Sequence, residues 1–101
     1  MDSRTRTVHK EAIVIDGHKH MMHELPRRRL RGDKAVFSNY YVPLIRKGGV
    51  NVIMLNVGGD NTTLTGGSDL MMWGSLWMMD MVWEEAKESS DTISICTKCK
   101  D

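Results

Sequence analysis

The chain has 101 residues, 41% of them hydrophobic, and its 14 lysines and arginines against 13 aspartates and glutamates leave a formal net charge of +1. That length suits one small domain with a modest core. Balanced charge gives no broad attraction to nucleic acid or anionic lipid, and no apolar run is long enough to span a bilayer, so neither nucleic acid nor a membrane is an expected partner. The opening residues, MDSRTRTVHKE, lack the apolar centre of a secretory signal; the cytoplasm is the expected compartment, with residues 1–10 a polar leader and residues 11–101 the folded unit.

The first element after the leader is AIVID, residues 12–16, a β-branched run too short for helical periodicity that predicts a buried strand ending at Gly17. ELPRRRLRGDKAVFSN, residues 24–39, carries proline, glycine and clustered charge and reads as a connecting loop. YYVPLIRKGG, residues 40–49, predicts a short helix. Arg46 and Lys47 suit its C-terminal end, Gly48 is the expected left-handed cap, and Pro43 restricts where it begins.

VNVIMLNV, residues 50–57, is apolar enough for a second strand covered on both faces. The glycine-rich residues 58–69 read as a loop at its C-terminal end, with Ser68 or Asp69 capping a helix over residues 70–89. On that helix Leu70, Trp73, Gly74, Trp77 and Met81 recur at three- and four-residue spacing, which predicts one apolar face. The chain holds 9 methionines, and methionine at helical spacing reads first as core. TISICT, residues 92–97, alternates and predicts a third strand. Strand, helix, strand, helix, strand is an α/β order that calls for right-handed crossovers and three parallel strands.

The chemistry-bearing segment is IVIDGHKHMMHE, residues 13–24. On a regular strand His18 and His20 leave the same face with Cα atoms about 6.5 to 7 Å apart, a span that two imidazoles can close on one zinc ion. Alternation places Asp16 on that face too, as a carboxylate able to orient a ligating histidine, with His23 just beyond as a possible auxiliary ligand. In parallel α/β architectures the C-terminal ends of strands are where ligands gather.

IVIDGHKH resembles the opening strand of the membrane dipeptidase family, also called renal dipeptidases, which ends in an aspartate-glycine-histidine-x-aspartate motif. RKGGVNVIML is similar to that family's second strand, and SLWMMDMVWEEAKESSDTISICTKCKD to its following helix and third strand, so the resemblance runs from about Glu11 onward. It implies the N-terminal portion of a (β/α)8 barrel, and a zinc-dependent dipeptidase or amidohydrolase with one or two metal ions. Metal-activated water would attack the amide bond of a small peptide or amide substrate. The family's first-strand ligands fall on His18 and His20. Histidine at the second position departs from the family's aspartate and follows the wider amidohydrolase superfamily, which puts dipeptide specificity in question.

A full (β/α)8 barrel takes about 250 residues. The expectation is therefore an N-terminal piece, inactive by itself, whose bridging glutamate and remaining ligands lie beyond residue 101. Exposed sheet edges would favour self-association. The arginines at 27, 28, 29 and 31 read as a solvated basic loop, with contact to a substrate carboxylate as the sharper alternative. Residues 21–31 and 58–67 would lie over the mouth of the site. Two rival readings stand beside this one: a non-catalytic interaction module using the tryptophan- and methionine-rich helix, and a small metal-binding protein that joins the histidines to Cys96 and Cys99.

Overall fold

The first strand begins later than the run AIVID predicts, at Ile15, and continues through Gly17 to Lys19. It is not the buried strand expected, since Ile15 is exposed, and Val52 and Met54 likewise leave one face of the second strand uncovered. In the computed structural model, which describes residues 2–21, 23–58 and 71–98, strand β1 (Ile15–Lys19) and strand β2 (Val52–Leu55) form a parallel sheet with Ile15 opposite Val52 and Asp16 opposite Ile53. Helix α1 (Ser3–Glu11) precedes the sheet. Between the strands lie helix α2 (Glu24–Leu30), a π-helical turn (Phe37–Tyr41) and helix α3 (Val42–Lys47), and helix α4 (Met71–Glu88) follows. Among the described residues the class is thus mixed α/β, with two parallel strands and four α-helices, and no helix is long and apolar enough to cross a membrane.

Several segments differ from their sequence expectation, each for a local reason. The polar leader is helical because Asp2 accepts a hydrogen bond from the Thr5 N–H at 2.8 Å, as an N-cap does. α1 buries none of its residues, and its His9 Nε2 donates to the Gly48 carbonyl at 3.0 Å. The first seven residues of the expected loop over residues 24–39 are α2. Glu24 occupies its first turn and Arg27, Arg28 and Arg29 its last, matching the helix dipole, and Pro26 sits where backbone N–H groups lack intrahelical partners anyway. Gly32, at φ +94°, ends it: the Gly32 N–H bonds the Arg29 carbonyl and the Asp33 N–H that of Arg28.

The helix expected from residue 40 begins earlier. Pro43 has no N–H to return to Asn39, and the turn before it is widened so that the Val42 N–H reaches the Phe37 carbonyl, five residues back. Its left-handed residue is Gly49, at φ +71°, whereas Gly48 stays right-handed at φ −77°. The Gly49 N–H bonds the Arg46 carbonyl and the Val50 N–H that of Ile45, which closes the helix end. Residues 92–97 form no strand. The N–H groups of Thr92 and Ile93 both turn back to the Ser89 carbonyl, at 2.9 and 3.0 Å, so the segment folds onto the end of α4 and does not join the sheet.

One core ties these elements together: Met21 from the β1–α2 connection, Leu25 from α2, Val36 and Phe37 at the entry to the π-turn, and Met78 and Met81 from α4. Ile53 and Leu55 of β2 and Ile45 of α3 pack against it. Each such side chain taken out of water contributes about 1.5–3 kcal/mol. The buried stripe of α4 is Gly74, Met78, Met81 and Glu85, one position round from the expected face. Gly74 and Met81 belong to both, but Trp73 is 55% exposed. The helix is turned this way because Glu85 enters the interior, where it finds partners. The expected face member Leu70, the caps Ser68 and Asp69, and nearly all of the glycine-rich loop lie outside the described residues.

Candidate functional site

β1 is not a regular strand. Asp16 opposes Ile53 and Lys19 opposes Leu55, so two residues, Gly17 and His18, stand opposite the single Met54. This is a β-bulge, and the extra residue resets the alternation of faces. Asp16 and Lys19 are half-buried on the helix-covered side with Ile53 and Leu55, while His18 and His20 are exposed, as are Ile15, Val52 and Met54 of the opposite, open face. Gly17 has nothing within 4 Å of a built Cβ, so it provides the bulge without crowding.

The two imidazoles meet. His18 Nε2 and His20 Nε2 lie 2.7 Å apart, with ring centroids 4.6 Å apart and planes inclined by 61°. At that distance the Nε2–H of one ring donates to the Nε2 lone pair of the other, so the accepting ring carries its proton on Nδ1. Around a tetrahedral zinc ion, with bonds of about 2.0 to 2.1 Å, two nitrogens stand about 3.3 Å apart. The exposed rings need to open by about 0.6 Å to reach that span, a movement within ordinary side-chain torsion.

The other expected members of the site are placed elsewhere. The Asp16 carboxylate accepts from the His18 backbone N–H at 3.2 Å and from neither ring. It therefore fixes the strand end and does not orient an imidazole. His23 is the exposed residue heading α2, since the chain turns inward at the buried Met21 before the helix begins. Among the described residues no group of three histidine, cysteine, aspartate or glutamate side chains is placed to hold a metal ion. Cys96 is an exposed thiol, and Cys99 lies outside the described residues. The pair thus supplies two donors of the three or four that zinc takes.

The basic run does not face water as a whole. Arg28 lies over the Tyr40 ring, 3.6 Å from its centroid, and pairs with Asp33 at 3.4 Å. Arg29 donates to Glu85 and, at 2.9 Å, to Glu88. Glu85 also accepts from the Phe37 N–H at 2.9 Å, and Glu88 from the Ala35 N–H at 2.8 Å. The hydrogen bond from Arg29, then that from Ala35, holds the Glu88 carboxyl below the usual glutamate range. These carboxylates of α4 cap the helical segment that starts near Val36, much as an N-cap side chain does from within a chain segment. Sequence reading passes over this cluster, because WEEAKE looks like a solvated helix end. The one signal for it is that Glu85 follows Met78 and Met81 at helical spacing.

On the helix-covered side a cleft of about 400 Å³ opens between the sheet and α3, lined in part by Asp16, Lys19, His20, Tyr41, Leu44 and Ile53. The Tyr41 hydroxyl is buried there without a hydrogen-bond partner, and burial pushes its pKa up to about 12, so it stays protonated as a donor. No protein-family model, no curated protein and no solved structure matches this chain.

Proposed function

We propose that this chain is the metal-carrying opening portion of a (β/α)8-type hydrolase of the membrane dipeptidase kind, with His18 and His20 as zinc ligands. The observation that carries the reading is the convergence of the two Nε2 atoms, 2.7 Å apart, at the C-terminal end of a parallel strand. In a closed barrel the open face of β1 and β2 becomes the interior, and the half-buried face stays against the helices. The apolar character of Ile15, Val52 and Met54, exposed at 58%, 42% and 60%, agrees with that orientation.

A zinc ion held there would activate a water and polarise the carbonyl of an amide or small peptide substrate. The contribution of this chain is to present two imidazoles in a fixed relation, set by the bulge and by the Asp16 bond to the His18 backbone. With two donors among its described residues, the chain is expected to bind zinc without turning over an amide. Equilibrium zinc titration tests the reading: wild type binds, and His18→Ala and His20→Ala each weaken binding at least tenfold. Equal binding by all three proteins refutes it.

A second reading, an interaction module, has one observation in its favour. Met72, Leu76, Met79 and Trp83 are exposed at 79%, 60%, 48% and 46% and follow one another at spacings of four, three and four, the seam by which helices pack on helices. In this reading Leu76→Lys abolishes any self-association while leaving zinc binding unchanged, and analytical ultracentrifugation separates the two.

A further inference from the structure

We propose that the cleft between the C-terminal ends of α1 and α3 binds a phosphate group carried by a small molecule, and that the bound group fastens α1 in place. The cleft has a volume of about 260 Å³ and is lined in part by His9 and Lys10 of α1, Arg46 and Lys47 of α3, and Asn51 of the turn into β2. It opens where the parallel strands begin, at the end of the sheet away from His18 and His20, so it is separate from the proposed metal site. Charge singles it out. The chain as a whole carries a net charge of +1, yet three full cations meet here, and no carboxylate is among the described residues that line the cleft. Lys10, Arg46 and Lys47 have no ion-pair partner among the described residues, whereas Arg28, Arg29, Lys34 and Lys87 each pair with a carboxylate.

Helix ends explain part of this gathering, because each of the three cations sits in the last turn of α1 or α3, where it offsets the dipole. Two helix ends together carry about one negative charge, so the cations exceed them by about two. That surplus matches a phosphate monoester, which carries about −1.5 to −2 at neutral pH. The uncharged groups agree in sign: Asn51 Oδ1 accepts from the Val14 N–H at 2.8 Å, which leaves the NH2 end of the amide as a donor for a ligand oxygen. His9 seats α1 on the turn through its bond to the Gly48 carbonyl, against Gly49, where a Cβ would fall 2.6 Å from Nε2. α1 buries none of its residues, so an anion that takes Lys10 from α1 and Arg46 from α3 adds a bridge its packing does not supply. The volume equals the share of about nine waters, at about 30 Å³ each, against the five heavy atoms of a phosphate, so room remains for the group that carries it. At the N-terminal end of parallel strands such a ligand serves stability and not catalysis.

The test is a proton–nitrogen NMR titration of the 101-residue chain with sodium phosphate and, separately, with glycerol 3-phosphate, sodium chloride holding the ionic strength constant. No zinc is added, so the outcome is independent of the metal reading. The expected result is saturable shifts at the amides of Lys10, Gly48, Gly49 and Asn51, none at His18 or His20, and slower hydrogen exchange across α1. Arg46→Gln and Lys47→Gln should each weaken binding about fivefold, and Arg31→Gln, at an exposed arginine outside the cleft, should not. All three change exposed side chains, and unaltered circular dichroism will show that they fold. Tighter binding of the ester than of inorganic phosphate supports a carried phosphate; inorganic phosphate binding at least as tightly overturns that assignment. Shifts that grow without saturating, the same response to sodium chloride alone, or an equal loss in Arg31→Gln overturns the site.

Discussion

The cluster of Arg29, Glu85 and Glu88 and the pair of His18 and His20 are both polar groups gathered into one place, yet they relate to their surroundings in opposite ways. Glu85 is fully buried, and each of its oxygens has a donor, from Arg29 and from the Phe37 N–H. Every contact in that cluster is to another part of the chain, and it fastens α2 and the start of the π-turn to α4. The histidine rings are exposed and bond only to each other. A buried polar group with all partners in place reports on folding; an exposed pair of converging nitrogens retains donor capacity for something outside the chain.

If that division holds, the largest effect should come from the clamp. Glu85→Ala leaves the Phe37 N–H without an acceptor and Arg29 with Glu88 alone, and is expected to cost about 3–5 kcal/mol in urea unfolding. Glu85→Gln keeps an oxygen for Phe37 and should cost less. A change under 1 kcal/mol for Glu85→Ala would break the comparison, by showing the clamp to be incidental.

A smaller effect is expected where α1 docks. Gly49 is left-handed, and a Cβ built on it falls 2.6 Å from His9 Nε2. Gly49→Ala should cost about 1–2 kcal/mol for the backbone conformation, and release α1 as well. Adding His9→Ala removes the clash but not the backbone cost, so the double variant should recover only part of the loss in a thermal melt. Smaller again is the pH dependence. Because the folded Glu88 carboxyl titrates below its ordinary value of 4.5, its stabilising share is complete above that value and is lost as pH falls through the lowered one. Its side chain is 26% exposed, so the share is expected to be below about 1 kcal/mol, and Glu88→Gln should flatten the acid limb of stability by that amount.

How much of this was legible in the sequence depends on how local the signal is. The pairing of the two apolar runs, the long helix and the shared projection of His18 and His20 all follow from patterns a few residues long. The caps of α2 were equally present in Glu24, the arginine run and Gly32, but proline and charge outweighed them in the reading as a loop. The bulge left no such trace: a glycine has no side chain to show which face it occupies, and one extra residue breaks the alternation on which the expected role of Asp16 rested. The inward turn of Glu85 was hidden because its partners lie some 50 residues away, at Arg29 and Phe37. The missing third strand has the same origin, since TISICT alternates like a strand but its backbone is engaged by Ser89.

The central claim is that His18 and His20 are a converging pair of metal donors. Nitrogen-15 NMR of the imidazoles addresses it most directly, because the hydrogen bond between the free rings needs a proton on Nε2 of one and a bare Nε2 on the other. On adding zinc, both rings are predicted to become Nδ1–H with Nε2 bound to the ion, and the resonances of His9 and His23 to stay in place. Unchanged tautomers at residues 18 and 20, or a response shared equally by all four histidines, would contradict the account.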